Sequence, residues 1–202
     1  MTEEEPWIEI VVTYLEMRAP SSRTRSRPPL LGLPLQVVRL TKPSVPFYRY
    51  LYETVGAPWR WYERRMLDDA ALAALLATAR IDVVVLYAGG EPAGFAELSR
   101  HPDNDVELAY FGLMPHFIGH GLGRYFLETA VEMAWTPHSR TGTTKRVWLH
   151  TCTLDHPAAL GLYQKVGFHP VAQDRKRIPD PMRAGHMPPY TGPLPIPYRD
   201  EL

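Results

Sequence analysis

The sequence predicts an α/β (α+β) fold with a mixed, mostly antiparallel sheet and helices on both faces. β-Branched segments alternate with amphipathic ones in the order β, β, α, α, β, β, β, α, β, α, β. A hairpin turn at Gly89-Gly90 indicates antiparallel neighbours, and the order lacks the strict βαβ alternation of a doubly wound nucleotide-binding fold. With 202 residues, 45% of them hydrophobic, the chain is expected to form one domain with a substantial core.

The strand predictions rest on runs of β-branched and aromatic residues that end at proline, glycine or polar clusters. The first run ends before Pro20, and the turn near residues 102–104 separates the fourth from the fifth. The predicted strands cover residues 7–17, 35–40, 82–87, 93–100, 106–113 and 146–151, and a last strand begins at 168–172.

The helix predictions rest on apolar residues at helical spacing, bounded by capping and breaking residues. Asp68 or Asp69 is expected to cap the second helix, and Gly167 to close the fourth. The predicted helices cover residues 46–55, 68–79, 121–135 and 157–166. The apolar face of the first is expected to comprise Phe47, Tyr50, Leu51 and Val55.

Two proline-rich segments are expected to be irregular. Residues 19–34 also carry alternating arginines at 23, 25 and 27, which indicates an exposed loop or, as the alternative, a phosphate-contacting arm. Residues 173–202 are expected to form a tail that wraps the surface. The whole chain, 1–202, is then a single domain with one loop and one tail.

Composition excludes several classes of partner. The 22 basic and 22 acidic residues balance, so no global field favours nucleic acid or an anionic membrane. The only cysteine, Cys152, excludes an internal disulfide and a multi-cysteine zinc site, which indicates the cytoplasm and no metal. Glu9, Thr13 and Glu16 interrupt the first apolar stretch, which is therefore neither a signal peptide nor a membrane span.

A glycine-rich segment lies between the predicted strand at 106–113 and the following helix. Gly119, Gly121 and Gly123 allow a tight turn whose backbone N–H groups, with the helix N-terminus, suit a pyrophosphate. A P-loop requires GxxxxGK followed by Ser or Thr, and a dinucleotide fingerprint requires GxGxxG. Neither spacing is present, which disfavours a nucleotide-dependent oxidoreductase.

Together with a second signature, this segment resembles the GNAT superfamily of N-acetyltransferases. Gly121 and Gly123 match the last two positions of the family motif Gln/Arg-x-x-Gly-x-Gly/Ala, in which Ile118 replaces the Gln or Arg. Residues 159–168, ALGLYQKVGF, are similar to the family helix A-x-x-L-Y-x-x-x-G-F, and His156 stands where the family often has Asn. The resemblance covers about residues 82–171.

The resemblance implies an acyl-CoA donor, with acetyl-CoA expected. Its pantetheine arm would lie between two splayed parallel strands, here 106–113 and 146–151, and pair with the main chain like an added strand. The implied pantetheine contacts are Gly112, Leu113 and Met114. The implied pyrophosphate contacts are Gly119, His120, Gly121, Leu122, Gly123 and Arg124.

The resemblance also implies two reacting side chains. Glu107 has the placement of the general base, and an apolar cleft would raise its pKa from about 4.3 towards neutrality. Tyr163 matches the tyrosine that donates a proton to the departing sulfur. The alternatives are a surface carboxylate and a packed aromatic ring. Glu97 is a weaker candidate base, and His150 could also move protons.

Residues 48–65 occupy the place where the family builds its acceptor pocket. Trp59, Trp61 and Tyr62 are expected to form an aromatic wall, and Arg60 or Arg64 to bind an acceptor carboxylate. The predicted function is direct acetyl transfer, in a ternary complex, to an amine of a small molecule or peptide. The alternative is a non-catalytic acyl-CoA sensor or scaffold. A homodimer remains open.

Overall fold

The computed structural model describes residues 7–21, 27–137 and 142–192. In this part of the chain one seven-stranded sheet has the order β2-β3-β4-β5-β6-β1-β7. The strands are β1 Trp7–Met17, β2 Leu35–Arg39, β3 Ile81–Ala88, β4 Glu91–Arg100, β5 Asp105–Leu113, β6 Arg146–Cys152 and β7 His169–Pro179. The helices are α1 Val45–Gly56, α2 Asp69–Leu76, α3 Leu122–Trp135 and α4 Ala159–Val166. The predicted mixed, mostly antiparallel fold is confirmed.

Alternating residues of β3 divide the apolar core between the two faces of the sheet. Val84 and Leu86 join a cluster with residues of α3 and α4, whereas Val83 and Val85 join a cluster with residues of α1 and α2. Successive side chains of a strand point to opposite faces. Helices therefore cover both faces of the sheet, as the sequence predicts.

The buried face of α1 differs from the predicted one. Tyr48 and Tyr52 are buried with Leu51 and Val55, whereas Tyr50 is 46% exposed. The hydroxyl group of Tyr48 donates to the buried Glu97, and that of Tyr52 donates to Glu63, which is exposed. A tyrosine can be buried when its hydroxyl finds a partner, and apolar spacing alone does not reveal such a partner.

In α2, the carboxylate of Asp68 accepts from the Ala71 N–H at 2.7 Å and caps the helix.

The parallel pair β5–β6 separates along its length. Its register ends at Glu107 opposite Trp148. Residues 108–113 of β5 therefore lie beyond the last pair, beside a gap between the two strands. This is the splayed arrangement that the family resemblance implies.

The last strand is longer than predicted, and the expected irregular tail from residue 173 is wrong up to Pro179. β7 pairs with β1 from His169 to Pro179, and β1 lies between β6 and β7. Pro170 and Pro179 stand at the two ends of an edge strand, where a missing N–H is tolerated. Of the predicted loop and tail, residues 22–26 and 193–202 lie outside the described residues.

Candidate active site

A cavity of about 640 Å³ follows the gap between β5 and β6. One end, called the donor end below, is lined by Gly119, which precedes α3, and by Gly123 in the first turn of α3. The other end, called the acceptor end below, is lined by Trp59 and Trp61. Glu107 and Tyr163, the two predicted reacting side chains, also line the cavity. They share it with the three predicted aromatic acceptor residues and with four of the nine predicted donor residues, which are Gly112, Leu113, Gly119 and Gly123.

The α3 end of the cavity offers uncapped main-chain N–H groups. Gly119 and Gly121 have φ angles of 89° and 76°, in the left-handed region that favours glycine. Helix α3 follows with no side-chain cap and no acidic residue in its first turn. The first N–H groups of a helix lack intrahelical partners and carry partial positive charge. This end of the cavity can therefore hold an anion such as a pyrophosphate.

Gly123 lies inside α3, where protein packing does not require a glycine. A Cβ there would lie 3.6 Å from Leu162 Cδ2 and 3.8 Å from Leu113 Cδ1, which are ordinary contact distances. Glycine in a helix is about 1 kcal/mol less favourable than alanine. Because Gly123 lines the cavity, close approach of a ligand explains it better than packing does. Gly112 differs, since a Cβ there would lie 2.4 Å from Val55 Cγ1.

The three predicted pantetheine contacts are not equivalent. Gly112 and Leu113 line the cavity, whereas the Met114 side chain is fully buried and its N–H donates to the Ala93 carbonyl oxygen at 2.9 Å. The Met114 amide is thus bonded to β4 and is not available to a ligand. Since successive residues of a strand direct their main-chain groups to opposite edges, Leu113 faces the gap.

The side chains of the other predicted donor residues offer few contacts to a ligand. Leu122 is fully buried, so only its main chain can contribute. His120 is exposed, with Nδ1 3.2 Å from the Ile118 carbonyl oxygen. The Arg124 guanidinium pairs with Glu128 at 2.8 Å. Ile118 lines the cavity where the family motif has Gln or Arg. An anion at this end would therefore be held mainly by the main chain.

Glu107 lies at the point where β5 and β6 separate. Its carboxylate is 17% exposed and lies 3.7 Å from His150 Nδ1 and 3.6 Å from His101 Nε2. The interaction with Glu107 raises the pKa of His150, and burial opposes this rise. His150 is half-exposed and also lines the cavity. A carboxylate beside an imidazole can accept a proton and pass it towards solvent.

Glu97, the weaker candidate base, is held inside the protein by an ion pair and a hydrogen bond. It is fully buried, pairs with Arg64 Nη2 at 2.5 Å and accepts from the Tyr48 hydroxyl. Burial and the neighbouring Glu97 raise the pKa of Tyr48, so this hydroxyl keeps its proton and continues to donate. Glu97 does not line the cavity.

Tyr163 lines the cavity from α4 and is only 8% exposed. Its ring packs edge-on against Phe111 and Phe168. Burial raises its pKa, and the charge of Asp155 adds to this effect. The hydroxyl therefore stays protonated across the physiological range and can serve as a hydrogen-bond and proton donor.

The predicted aromatic wall is present in the cavity, since Trp59, Trp61 and Tyr62 all line it. Trp61 packs against Tyr110 with ring centroids 5.0 Å apart, and Tyr62 stacks on His186 at 5.5 Å. These contacts hold the rings in place from β5 and from the segment after β7.

The two arginines considered for an acceptor carboxylate are both engaged elsewhere. Arg60 Nη1 lies 3.1 Å from the Asp180 carboxylate, and Arg64 pairs with Glu97. Asp180 is itself buried and also accepts from the Met182 N–H. Neither guanidinium is therefore positioned to recognise an acidic acceptor without first losing its partner.

Sequence reasoning missed several residues of the acceptor end. Glu63 lines the cavity, and its Oε2 accepts from the hydroxyl groups of Tyr52 and Tyr110 at 3.2 and 3.3 Å. The period-two alternation of β1 could have indicated one lining face, but not its position beside β6. The residues contributed by β1 and β7 are Ile10, Val12, Tyr14, Lys176 and Ile178.

Cys152 lines the cavity, but its environment disfavours a nucleophilic role. Burial raises the pKa of its thiol, and Asp155 adds to the effect. Since the thiolate is the nucleophile, a raised pKa keeps the sulfur in its less reactive form.

Among the described residues, no group of three or more His, Cys, Asp or Glu side chains could hold a metal ion. No helix in the described ranges is long and apolar enough to cross a membrane.

The Acetyltransferase (GNAT) family matches residues 41–168, and the chain belongs to this family. A curated relative, the N-alpha-acetyltransferase RimI of Mycobacterium tuberculosis, is 36% identical over 84 residues, which cover 42% of this chain and 48% of the relative. The chain thus aligns with about half the length of that relative.

Solved structures share the fold at low sequence identity. A GCN5-related N-acetyltransferase from Kribbella flavida matches with a TM-score of 0.54 and 20% identity, over 85% of this chain and 58% of that one. One from Sphaerobacter thermophilus matches with a TM-score of 0.60 and 13% identity, over 83% and 51%. An aminoglycoside acetyltransferase from a soil metagenome matches with a TM-score of 0.53 and 14% identity, over 66% and 87%.

Proposed function

We propose that this protein transfers an acetyl group from acetyl-CoA to a primary amine of a small molecule or peptide, by direct attack in a ternary complex. The observation that carries the proposal is the continuity of the cavity. A single space joins the uncapped N-terminus of α3 to the aromatic and acidic residues beyond Glu107. A donor held by its phosphates at one end can thereby present its reactive group to an acceptor at the other.

The donor end has the properties that acetyl-CoA requires. Main-chain N–H groups at Gly119–Gly123 suit the pyrophosphate, and the free edge of β5 at Leu113 suits the amides of the pantetheine arm. The donor itself supplies an activated thioester carbonyl. The protein has to hold this group beside the acceptor, which lowers the entropic part of the barrier.

Glu107 is proposed as the general base. The attacking nitrogen must be neutral, and the carboxylate at the point of strand separation can take its proton directly or through water. His150 is 3.7 Å away and half-exposed, so it can carry the proton onwards to solvent. No covalent bond to the protein is needed.

Tyr163 is proposed as the general acid. Its hydroxyl stays protonated at physiological pH, so it can hydrogen-bond to the departing sulfur and donate its proton as the thiolate leaves, and solvent then restores the proton of the tyrosine. The ring contacts with Phe111 and Phe168 restrict the direction in which the hydroxyl points.

The test is thiol release from acetyl-CoA across a panel of primary amines, with mass spectrometry to confirm that the amine has gained an acetyl group. The expected result is amine-dependent release with one acetyl group transferred for each thiol. Tight CoA binding without release for any amine would contradict the proposal and support a non-catalytic sensor or scaffold.

A further inference from the structure

The segment 60–65, Arg-Trp-Tyr-Glu-Arg-Arg, follows α1 and forms one side of the acceptor end. Each of its three arginines has a carboxylate partner, so none carries an uncompensated charge into the cavity. The pairs are Arg60 with Asp180 at 3.1 Å, Arg64 with Glu97 at 2.5 Å and Arg65 with Glu53 at 3.5 Å.

Glu63 is the exception in this segment. No Lys or Arg of the described residues forms an ion pair with it, and its Oε2 instead accepts from the hydroxyl groups of Tyr52 and Tyr110. Burial raises the pKa of both tyrosines, so both stay protonated and keep donating. Two donors on one oxygen fix the orientation of the carboxylate. No donor among the described residues bonds its other oxygen, Oε1.

The position of Glu63 relative to the reacting groups follows from the cavity. Glu63 and Glu107 both line it. Glu107 is the main cause of the raised pKa of His150, and the charge of Glu63 also contributes, so Glu63 lies within electrostatic reach of the proposed base. A third carboxylate of the cavity, Asp155, accepts from the Thr151 hydroxyl and the Cys152 N–H. Of Glu63 and Glu107, only one is needed to remove a proton.

We propose that Glu63 binds a second cationic group of the acceptor, so that diamines and polyamines are preferred over monoamines and amino acids. The inference rests on the proposed function for the amine that reacts. Glu107 takes the proton of the attacking amine, whereas Glu63 pairs with a distant ammonium group of the same acceptor. The rings of Trp61 and Tyr62 line the same end and favour a cation there.

A free carboxylate on the acceptor is disfavoured by the same charges. It would lie near Glu63 and Glu107, and Arg60 and Arg64 already have carboxylate partners. Lys176 also lines the cavity, where its ammonium group donates to the Tyr14 hydroxyl from β7. Like charges repel, and an ammonium group in the same place is attracted, although the exposure of Glu63 to solvent keeps both effects moderate. The expected acceptor is thus a linear molecule with two separated amines.

Isothermal titration of the CoA-saturated protein with 1,4-diaminobutane and with butylamine tests the inference. The diamine should bind a few-fold tighter, since Glu63 is exposed and an exposed ion pair contributes up to about 1 kcal/mol. In Glu63→Gln, which retains the shape and an oxygen acceptor for the tyrosines, this preference should vanish while butylamine binding stays the same. The preference should also shrink as salt is added.

Glu53→Gln is the matched control, because Glu53 lies on α1, pairs with Arg65 and does not line the cavity. It should keep the full preference for the diamine. Equal affinities for the two amines in the parent protein, or an equal loss of both in Glu63→Gln, would overturn the inference. If no amine releases thiol from acetyl-CoA, the proposed function fails, but the binding comparison still decides the role of Glu63.

Discussion

The two ends of the cavity are built in different ways. The donor end uses main-chain groups from one short stretch of sequence, residues 112–124, in which strand β5 ends and helix α3 begins. The acceptor end uses side chains from β1, β6, β7 and the segment between α1 and α2. A local main-chain site can be recognised from spacing alone, whereas a site gathered from distant segments cannot.

The residues that match the family model include the donor end of the cavity but only part of the acceptor end. Residues 41–168 include the whole donor end, but β1 and β7 lie outside this range and contribute one wall of the acceptor end. Donor binding is therefore expected to be the shared property, and acceptor choice the individual one. Variants at the two ends should separate these properties.

The largest effect is expected at the donor end, in Gly123→Glu. The new carboxylate would occupy the cavity beside the α3 N-terminus and repel the phosphates, so CoA affinity should fall about a thousandfold or more. Isothermal titration with CoA measures this change. An unchanged affinity would remove the glycine segment from the donor site.

Gly123→Ala is the matched control for this substitution. Its Cβ meets Leu162 and Leu113 only at ordinary contact distances, so folding should be unaffected or slightly improved. A thermal melt on both variants separates a loss of binding from a loss of structure.

Glu107→Gln should lower kcat/KM by about 10²-fold or more near neutral pH, because amide nitrogen and oxygen cannot take the amine's proton. A base works only when deprotonated, so the parent profile should rise with pH on its acidic side. The variant should lose this limb and recover only at higher pH, where more of the amine is neutral. Parent and variant profiles that superimpose after scaling would rule out the assignment.

His150 provides an independent readout of the same substitution. Its pKa is raised by Glu107 and lowered by burial, so loss of the carboxylate should move the pKa downwards. A histidine titration followed by NMR measures this shift without any substrate. A pKa of His150 that stays unchanged in Glu107→Gln would contradict the contact between the two side chains.

Tyr163→Phe should reduce the rate about 10²-fold, because it removes the proposed proton donor and keeps the ring. CoA affinity and melting temperature should remain near the parent values. Tyr50→Phe is the matched control, since Tyr50 is exposed on α1 and does not line the cavity. A lower melting temperature with unchanged specific activity would instead indicate that Tyr163 has only a packing role.

The smallest effect is expected from Asp180→Asn. The substitution keeps the oxygen that accepts from the Met182 N–H but removes the charge that holds Arg60. A partly exposed ion pair contributes about 1 kcal/mol, so the KM for the amine should rise a few-fold while CoA affinity does not change. If the affinity for CoA fell as much as the KM for the amine rose, the donor and acceptor ends of the cavity would not act independently.

Local signals in the sequence were sufficient for most of the fold. The strand and helix order, the hairpin at Gly89-Gly90 and the glycine segment before α3 all depend on neighbouring residues, and the structure agrees with them. The prediction stops β7 at residue 172, because prolines usually interrupt a strand. The strand persists because Pro170 and Pro179 stand at its ends, and its pairing with β1 involves residues far away in the chain.

The acceptor end could be predicted only in part. Trp59, Trp61 and Tyr62 follow from the aromatic density of one segment, but the partners of the charged residues do not. Arg60 pairs with a residue 120 positions away, and this contact removes it from the acceptor site. Glu63 stands out only once the partners of its neighbouring arginines are known.

The most direct test of the account is the binding of a bisubstrate compound, in which the sulfur of CoA is joined through an acetyl bridge to 1,4-diaminobutane. If one cavity holds both substrates, this compound should bind about a hundredfold tighter than CoA, because linking makes the second contact intramolecular. Gly123→Glu and Glu63→Gln should each weaken its binding. An affinity equal to that of CoA, and insensitive to Glu63→Gln, would contradict a continuous donor and acceptor site.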